Sequence, residues 1–217
     1  MVRIAVRAVG ALLALLGLAL TVVGAWFATQ LGASGTAEFT TRPAAGQPVL
    51  FTPDVLNRVD ADIVVTATPT EGGRVWMAKA NPSDATAVLG DARHVEITGV
   101  EVRDWALLSA ERGSAEPPGL GAADLWRAQD DAQGPVSLTV TQDQAPESVV
   151  VAVDEGSIES LTMRVADKRW FVEAVVAALV GLFLVVAGVI ALWPRRHTEE
   201  HPAHDDAPTA DHQEVAP

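Results

Sequence analysis

The chain contains no cysteine. That removes disulfide bridges, thiolate metal sites and a cysteine nucleophile together, and it is compatible with an oxidising exterior without demonstrating one. Lysine is scarce too. Only Lys79 and Lys168 stand among the 15 basic residues, against 28 acidic ones, for a formal net charge of −13 over 217 residues. So acidic a chain lacks the positive patch that phosphate backbones require, and nucleic acid is not an expected partner. Local signatures of chemistry are missing as well: no Gly-x-Ser-x-Gly elbow, no P-loop and no dinucleotide fingerprint.

What is present is apolar and unevenly spread. Hydrophobic residues make up 49% of the chain and charged ones 20%, a pairing that fits if the apolar residues gather in a few segments. From Ala8 to Ala28 no side chain is charged. At about 1.5 Å per residue that run crosses a hydrocarbon core of about 30 Å. Its ten Leu, Val and Phe residues favour insertion by roughly 3–6 kcal/mol. The second run, from Ala174 to Trp193, is at least as apolar, with Glu173 at its start, where headgroups can hydrate it. Trp26, Trp170 and Trp193 fall near span ends and read as interface anchors. No ionisable residue lies deep in either span, which argues against a pump or an ion path.

These spans divide the chain into a cytoplasmic N-terminus (1–7), a first transmembrane helix (8–28), an extracytoplasmic domain with linkers (29–169), a second transmembrane helix (170–193) and a cytoplasmic tail (194–217). Arg3 and Arg7 precede the first span and no basic residue follows it until Arg42, so the N-terminus is expected inside. Lys168 and Arg169 before the second span balance Arg195 and Arg196 after it, and orientation rests on the first. The expectation is a two-pass protein of the cell membrane with both termini cytoplasmic. A cleaved signal peptide is the rival reading of the first span, with Gly35-Thr36-Ala37 as a small-x-small site. The uncharged run exceeds the roughly 7–15 residues of a signal core, which favours an uncleaved anchor.

Small residues recur in the first span as Gly10, Ala14, Gly17, Thr21, Gly24 and Ala28, at alternating steps of four and three. Such spacing keeps them on one face and lets another backbone approach. Ala174, Ala177, Gly181 and Gly188 answer in the second span. The two helices then pack antiparallel, or against copies in an oligomer; the plainer alternative is that Gly and Ala are common in such helices. The tail is acidic and contains proline, a composition expected to be disordered. Its His197, His201, His204 and His212 read as part of a solvated tail rather than as a metal site.

Between the spans the pattern is β. Asp62–Thr68, Arg74–Lys79, His94–Thr98, Val100–Val102, Val136–Thr141, Val149–Val153 and Ser157–Val165 carry strand chemistry. Glu71-Gly72-Gly73 reads as a turn joining the first two into a hairpin. The continuous run Val149–Val153 suits a strand covered on both faces. Asn81 as N-cap, Pro82 at the first position, Asp84 and a terminating Gly90 predict one short helix. The expected fold is mainly β, a β-sandwich of jelly-roll or immunoglobulin-like type with one short helix. From Glu38 to Arg169 there are 21 acidic and 11 basic residues, a net −10, read as a solvated surface.

No catalytic, cofactor or metal site is expected. His94 is the one histidine of this segment and, at a strand start, is expected at the surface. Asp60, Asp62, Asp130 and Asp131 lack the glycine and terminal glutamate of a calcium loop. Trp76, Trp105 and Trp126 are read as core rather than as a binding platform.

Val75–Leu89, His94-Val-Glu-Ile, Asp124-Leu-Trp-Arg-Ala, Gly134-Pro-Val-Ser-Leu-Thr and Glu147–Asp154, followed by a membrane span, together resemble a group of uncharacterised actinobacterial membrane proteins. The likeness runs over about Val49 to Trp193. It departs from the group's pattern at Ser148-Val-Val-Val-Ala, where an aromatic commonly stands. The resemblance implies two transmembrane helices flanking an extracytoplasmic β-rich domain, and it implies no activity. The expected partners are the lipid bilayer and a protein, either another or a second copy. The expected role is non-enzymatic: interaction or scaffolding at the envelope, with an envelope sensor as the alternative.

Overall fold

The structure, a computed structural model, describes residues 2–193. Its first element is a helix of 30 residues, α1 (Val2–Leu31), and its last is α4 (Lys168–Leu192). Within Ile4–Leu31 and Lys168–Leu192 an 18-residue window has mean hydropathy 2.4 and 3.0 respectively, so both helices are long and apolar enough to cross a membrane. The helix α1 includes Arg7, which the expected boundaries left outside the span. The histidine-containing tail falls outside the described residues.

Ten strands lie between the helices: β1 (Thr36–Thr41), β2 (Val49–Phe51), β3 (Ile63–Pro69), β4 (Arg74–Ala80), β5 (His94–Glu101), β6 (Ala106–Arg112), β7 (Ala128–Gln133), β8 (Val136–Val140), β9 (Ser148–Glu155) and β10 (Ile158–Ala166). They form one mixed sheet in the order β7-β4-β9-β2-β5-β6-β1-β10-β3-β8. The β2–β5 and β1–β6 pairs are parallel and the rest antiparallel. The sheet curls until its ends approach, where Lys79 Nζ of β4 donates to the Thr139 carbonyl of β8 at 3.0 Å. The result is nearly a barrel. The β-rich expectation therefore holds in its coarse form, while one continuous ladder is not the two-sheet arrangement of a sandwich.

Alternation fills the barrel. Ile63, Val65 and Ala67 of β3, Val75 and Met77 of β4, and Val149 and Val151 of β9 all point into one interior cluster and are fully buried. The opposite faces of β2, β4 and β9 supply Leu50, Trp76, Ala78 and Val150 to a second cluster outside the barrel. Helix α3 (Pro82–Leu89) covers that cluster with Ala85 and Leu89. The run at Val149–Val153 thus has apolar cover on both faces, as its continuity implied. A four-residue helix, α2 (Pro53–Leu56), buries Val55 and Leu56 in the interior cluster.

Two sequence expectations fail. The strands β3 and β4 do not form a hairpin: β3 is bonded on its two edges by β10 and β8, and β4 by β9 and β7. Both strands have their ladder positions filled elsewhere, so the turn at Glu71–Gly73 carries the chain across the curl. His94 is buried, not at the surface: it starts β5 beside the bridge that pairs Ala92 with Ala115, and its Nδ1 lies 2.8 Å from the Ala92 carbonyl oxygen.

Candidate functional site

The two long helices run antiparallel against each other, as their contacts require. Gly10 meets Gly188 and Ala191, Gly17 meets Gly181 and Val185, and Gly24 meets Ala174 and Ala178. A Cβ added at Gly17 would stand 2.5 Å from the Gly181 carbonyl oxygen, and one at Gly188 would stand 2.6 Å from that of Gly10. Only glycine allows backbones this close. Of the other seam residues, Ala14 faces Gly188 and Thr21 faces Gly181. The Thr21 hydroxyl lies 2.8 Å from the Gly17 carbonyl oxygen and 3.5 Å from that of Ala178. Ala28 closes the last turn of α1 by accepting from the Gly32 amide. Ala178 rather than Ala177 sits against Gly24, and Ala177 faces a cavity instead.

The helix pair passes directly into a strand pair. The first residue of β1, Thr36, is registered with Ala166 at the end of β10, and the register holds to Thr41 opposite Leu161. At the joint the Asp167 amide donates to the Gly35 carbonyl at 3.1 Å, and the Asp167 carboxylate caps α4 by accepting from the Arg169 amide at 2.9 Å. Gly35 has φ +66°, and a Cβ there would fall 2.1 Å from the Asp167 carbonyl oxygen.

Where the helices meet the barrel there is a partly open cavity of about 490 Å³. Leu20, Val23 and Phe27 line it from α1, and Trp170, Ala174 and Ala177 from α4. The barrel contributes Phe39, Met163 and Val165, and the segment around α2 contributes Val55 and Val59. Arg58 and Glu173 are the charged residues of its lining, and both are exposed. Trp105 sits at the wall, stacked on Phe39 at 5.3 Å and tilted against Trp26 at 6.2 Å. It is also the one non-glycine among the described residues with positive φ, at 51°, a backbone state that costs roughly 1–2 kcal/mol. The cavity's walls are almost wholly apolar.

Of the expected anchors, Trp26 and Trp170 are half-buried, and Trp170 packs on the interior cluster. Trp193 is exposed at the far end of α4. Trp76 and Trp126 pair edge-to-face at 5.1 Å in the outer cluster, away from Trp105, so the three tryptophans make no common platform. Among the described residues no group of three or more His, Asp or Glu side chains is placed to hold a metal. Asp131 pairs with Arg74, and Asp62 accepts from the Gln142 amide at 3.1 Å.

Sequence reasoning missed the cavity and a buried ionic group. The cavity draws on α2, whose Thr52-Pro53-Asp54 start repeats the signal that revealed α3 at Asn81-Pro82. The ionic group centres on Glu147, whose side chain is 1% exposed, with Lys79 Nζ at 3.3 Å and Arg127 Nη1 at 3.5 Å. The Lys79 contact has the distance of an ion pair without hydrogen-bond alignment, since Glu147 Oε2 finds no hydrogen-bond partner. No family model, no curated protein and no solved structure matches the chain.

Proposed function

We propose that this is a two-pass protein of the cell membrane whose β-rich domain stands on the extracytoplasmic side and works by binding, as an interaction or scaffolding module of the envelope, without catalysis. The likeness to actinobacterial membrane proteins belongs to the same proposal. The observation that carries the reading is the continuous joint between helix pair and strand pair. Helices α1 and α4, packed backbone to backbone, continue through Gly35 and Asp167 into neighbouring strands of one sheet. A domain fixed this way cannot swing freely on its anchor, so its surface is presented at a set height and angle to the bilayer. In-cell cross-linking of the tagged full-length protein tests it. A reproducible envelope protein partner is expected, and recovery of the protein alone contradicts the scaffold.

A second reading, an envelope sensor, is favoured by the cavity, because its walls belong partly to the helices and partly to the barrel. Filling it would change how the two fit. Deleting the residues after Arg196 is then expected to abolish signalling and leave the β-domain folded.

A further inference from the structure

We propose that the junction cavity is a lipid site: it holds one acyl chain of a bilayer phospholipid from the leaflet adjoining the β-domain, with the lipid phosphate at Arg58. The proposal rests on the membrane reading above and assigns the ligand class of the site. Three observations carry it. The first is size and lining. A volume of about 490 Å³ is in the range of ligand pockets, roughly 300–1,000 Å³. Water persists in a cavity only where about two to four polar partners hold it, and this lining is almost wholly apolar. Hydrocarbon fits such walls and water does not.

The second is position. Leu20 and Val23 line the cavity and belong to the apolar stretch of α1, as Ala177 does to that of α4. Val23 is 53% exposed, so the cavity is continuous with the outer apolar surface of the helix pair. In a bilayer that surface is bathed in acyl chains, and an occupant enters sideways without crossing water. The third is charge. The Arg58 guanidinium has no ion pair among the described residues, and its Nε reaches only the Asp54 carbonyl, at 3.4 Å. Its remaining donors suit a phosphate, which guanidinium binds in a two-pronged way. Exposed Lys168 and Arg169 at the start of α4 add positive charge. Glu173 adds a carboxylate to the lining, which matches a headgroup carrying an ammonium beside its phosphate.

The test is native mass spectrometry of the full-length protein, purified in mild detergent from membranes and again after reconstitution into nanodiscs of phosphatidylethanolamine and phosphatidylglycerol. One retained phospholipid mass per chain is expected, with phosphatidylethanolamine preferred. Val59→Trp and Val100→Trp, at two positions of the cavity lining, should lower its occupancy at least 5-fold while thermal unfolding stays at or above the parent's. Arg58→Ala, on an exposed side chain, should lower it several-fold. Leu125→Trp, outside the cavity, should leave it unchanged. No adduct, an adduct of non-lipid mass, or an adduct indifferent to both lining variants and to Arg58→Ala overturns the proposal. Carbonate washing separates the two failures. Release of the protein from membranes defeats the membrane reading itself, whereas a protein that stays in the membrane without a lipid adduct defeats only this inference.

Discussion

Gly17 has no room for even a methyl group: an added Cβ would meet backbone atoms at 2.5 and 2.6 Å, whereas at Gly10 the nearest atoms are a methyl carbon at 3.0 Å and a carbonyl oxygen at 3.1 Å. Backbone cannot yield as a side chain can, so Gly17→Ala should destabilise by about 1–3 kcal/mol through overpacking, and Gly10→Ala by less. Thermal unfolding of the two variants in detergent orders them, and equal losses would contradict the close approach at the centre of the seam. Gly17→Leu should reduce accumulation in the membrane. Glu147 makes a different argument. Its carboxylate is buried between one nearly buried lysine and one half-exposed arginine. Lys79→Met removes the more buried of its two cations, leaving Arg127 at 3.5 Å, and should destabilise by up to about 3 kcal/mol, less than a fully stranded charge. Arg127→Ala should do less, because solvent screens the exposed partner. Urea unfolding of the variants would measure the difference, and an Arg127 effect larger than that of Lys79 would refute this account of the pair.

Elements were legible where their signal is local. The helix at 82–89 carries its own start and stop residues, and the strand at Val149–Val153 announces two covered faces by its unbroken apolar run. What the sequence withheld was pairing. Nothing in Glu71-Gly-Gly73 distinguishes a hairpin turn from one that crosses a curled sheet, because β10 and β8, more than 60 residues further along, fill the edges of β3. Strands β1, β6 and β7 were missed for a related reason: Thr36–Thr41, Ala106–Arg112 and Ala128–Gln133 are rich in polar residues and Ala, and they owe their conformation to the sheet that receives them. The offset that sets Ala178 rather than Ala177 against Gly24 depends on how the helices rotate, which spacing along one helix does not specify. The cavity required all of these together, so no segment could reveal it. Gly35→Val puts a branched side chain at positive φ against the Asp167 carbonyl, and should lower the unfolding temperature more than the same change at Gly46, whose surroundings are open.

At the scale of the whole molecule, two apolar helices and one curled sheet are joined where the β1–β10 pair leaves the α1–α4 pair, and Phe27 and Trp170 of the helices pack on the barrel's interior cluster beside that joint. As a two-pass protein, the molecule would hold that joint at a membrane surface, with the barrel outside and the chain ends inside. Because the chain has no cysteine, single cysteines introduced for labelling report without background. Ser114, exposed on a loop of the β-domain, and Thr198, in the tail beyond the second helix, should lie on opposite sides. Intact cells treated with a membrane-impermeant maleimide should label Ser114→Cys at once and Thr198→Cys only after permeabilisation. Labelling of Thr198→Cys in intact cells with Ser114→Cys protected, or recovery of either protein in the soluble fraction, would contradict the account.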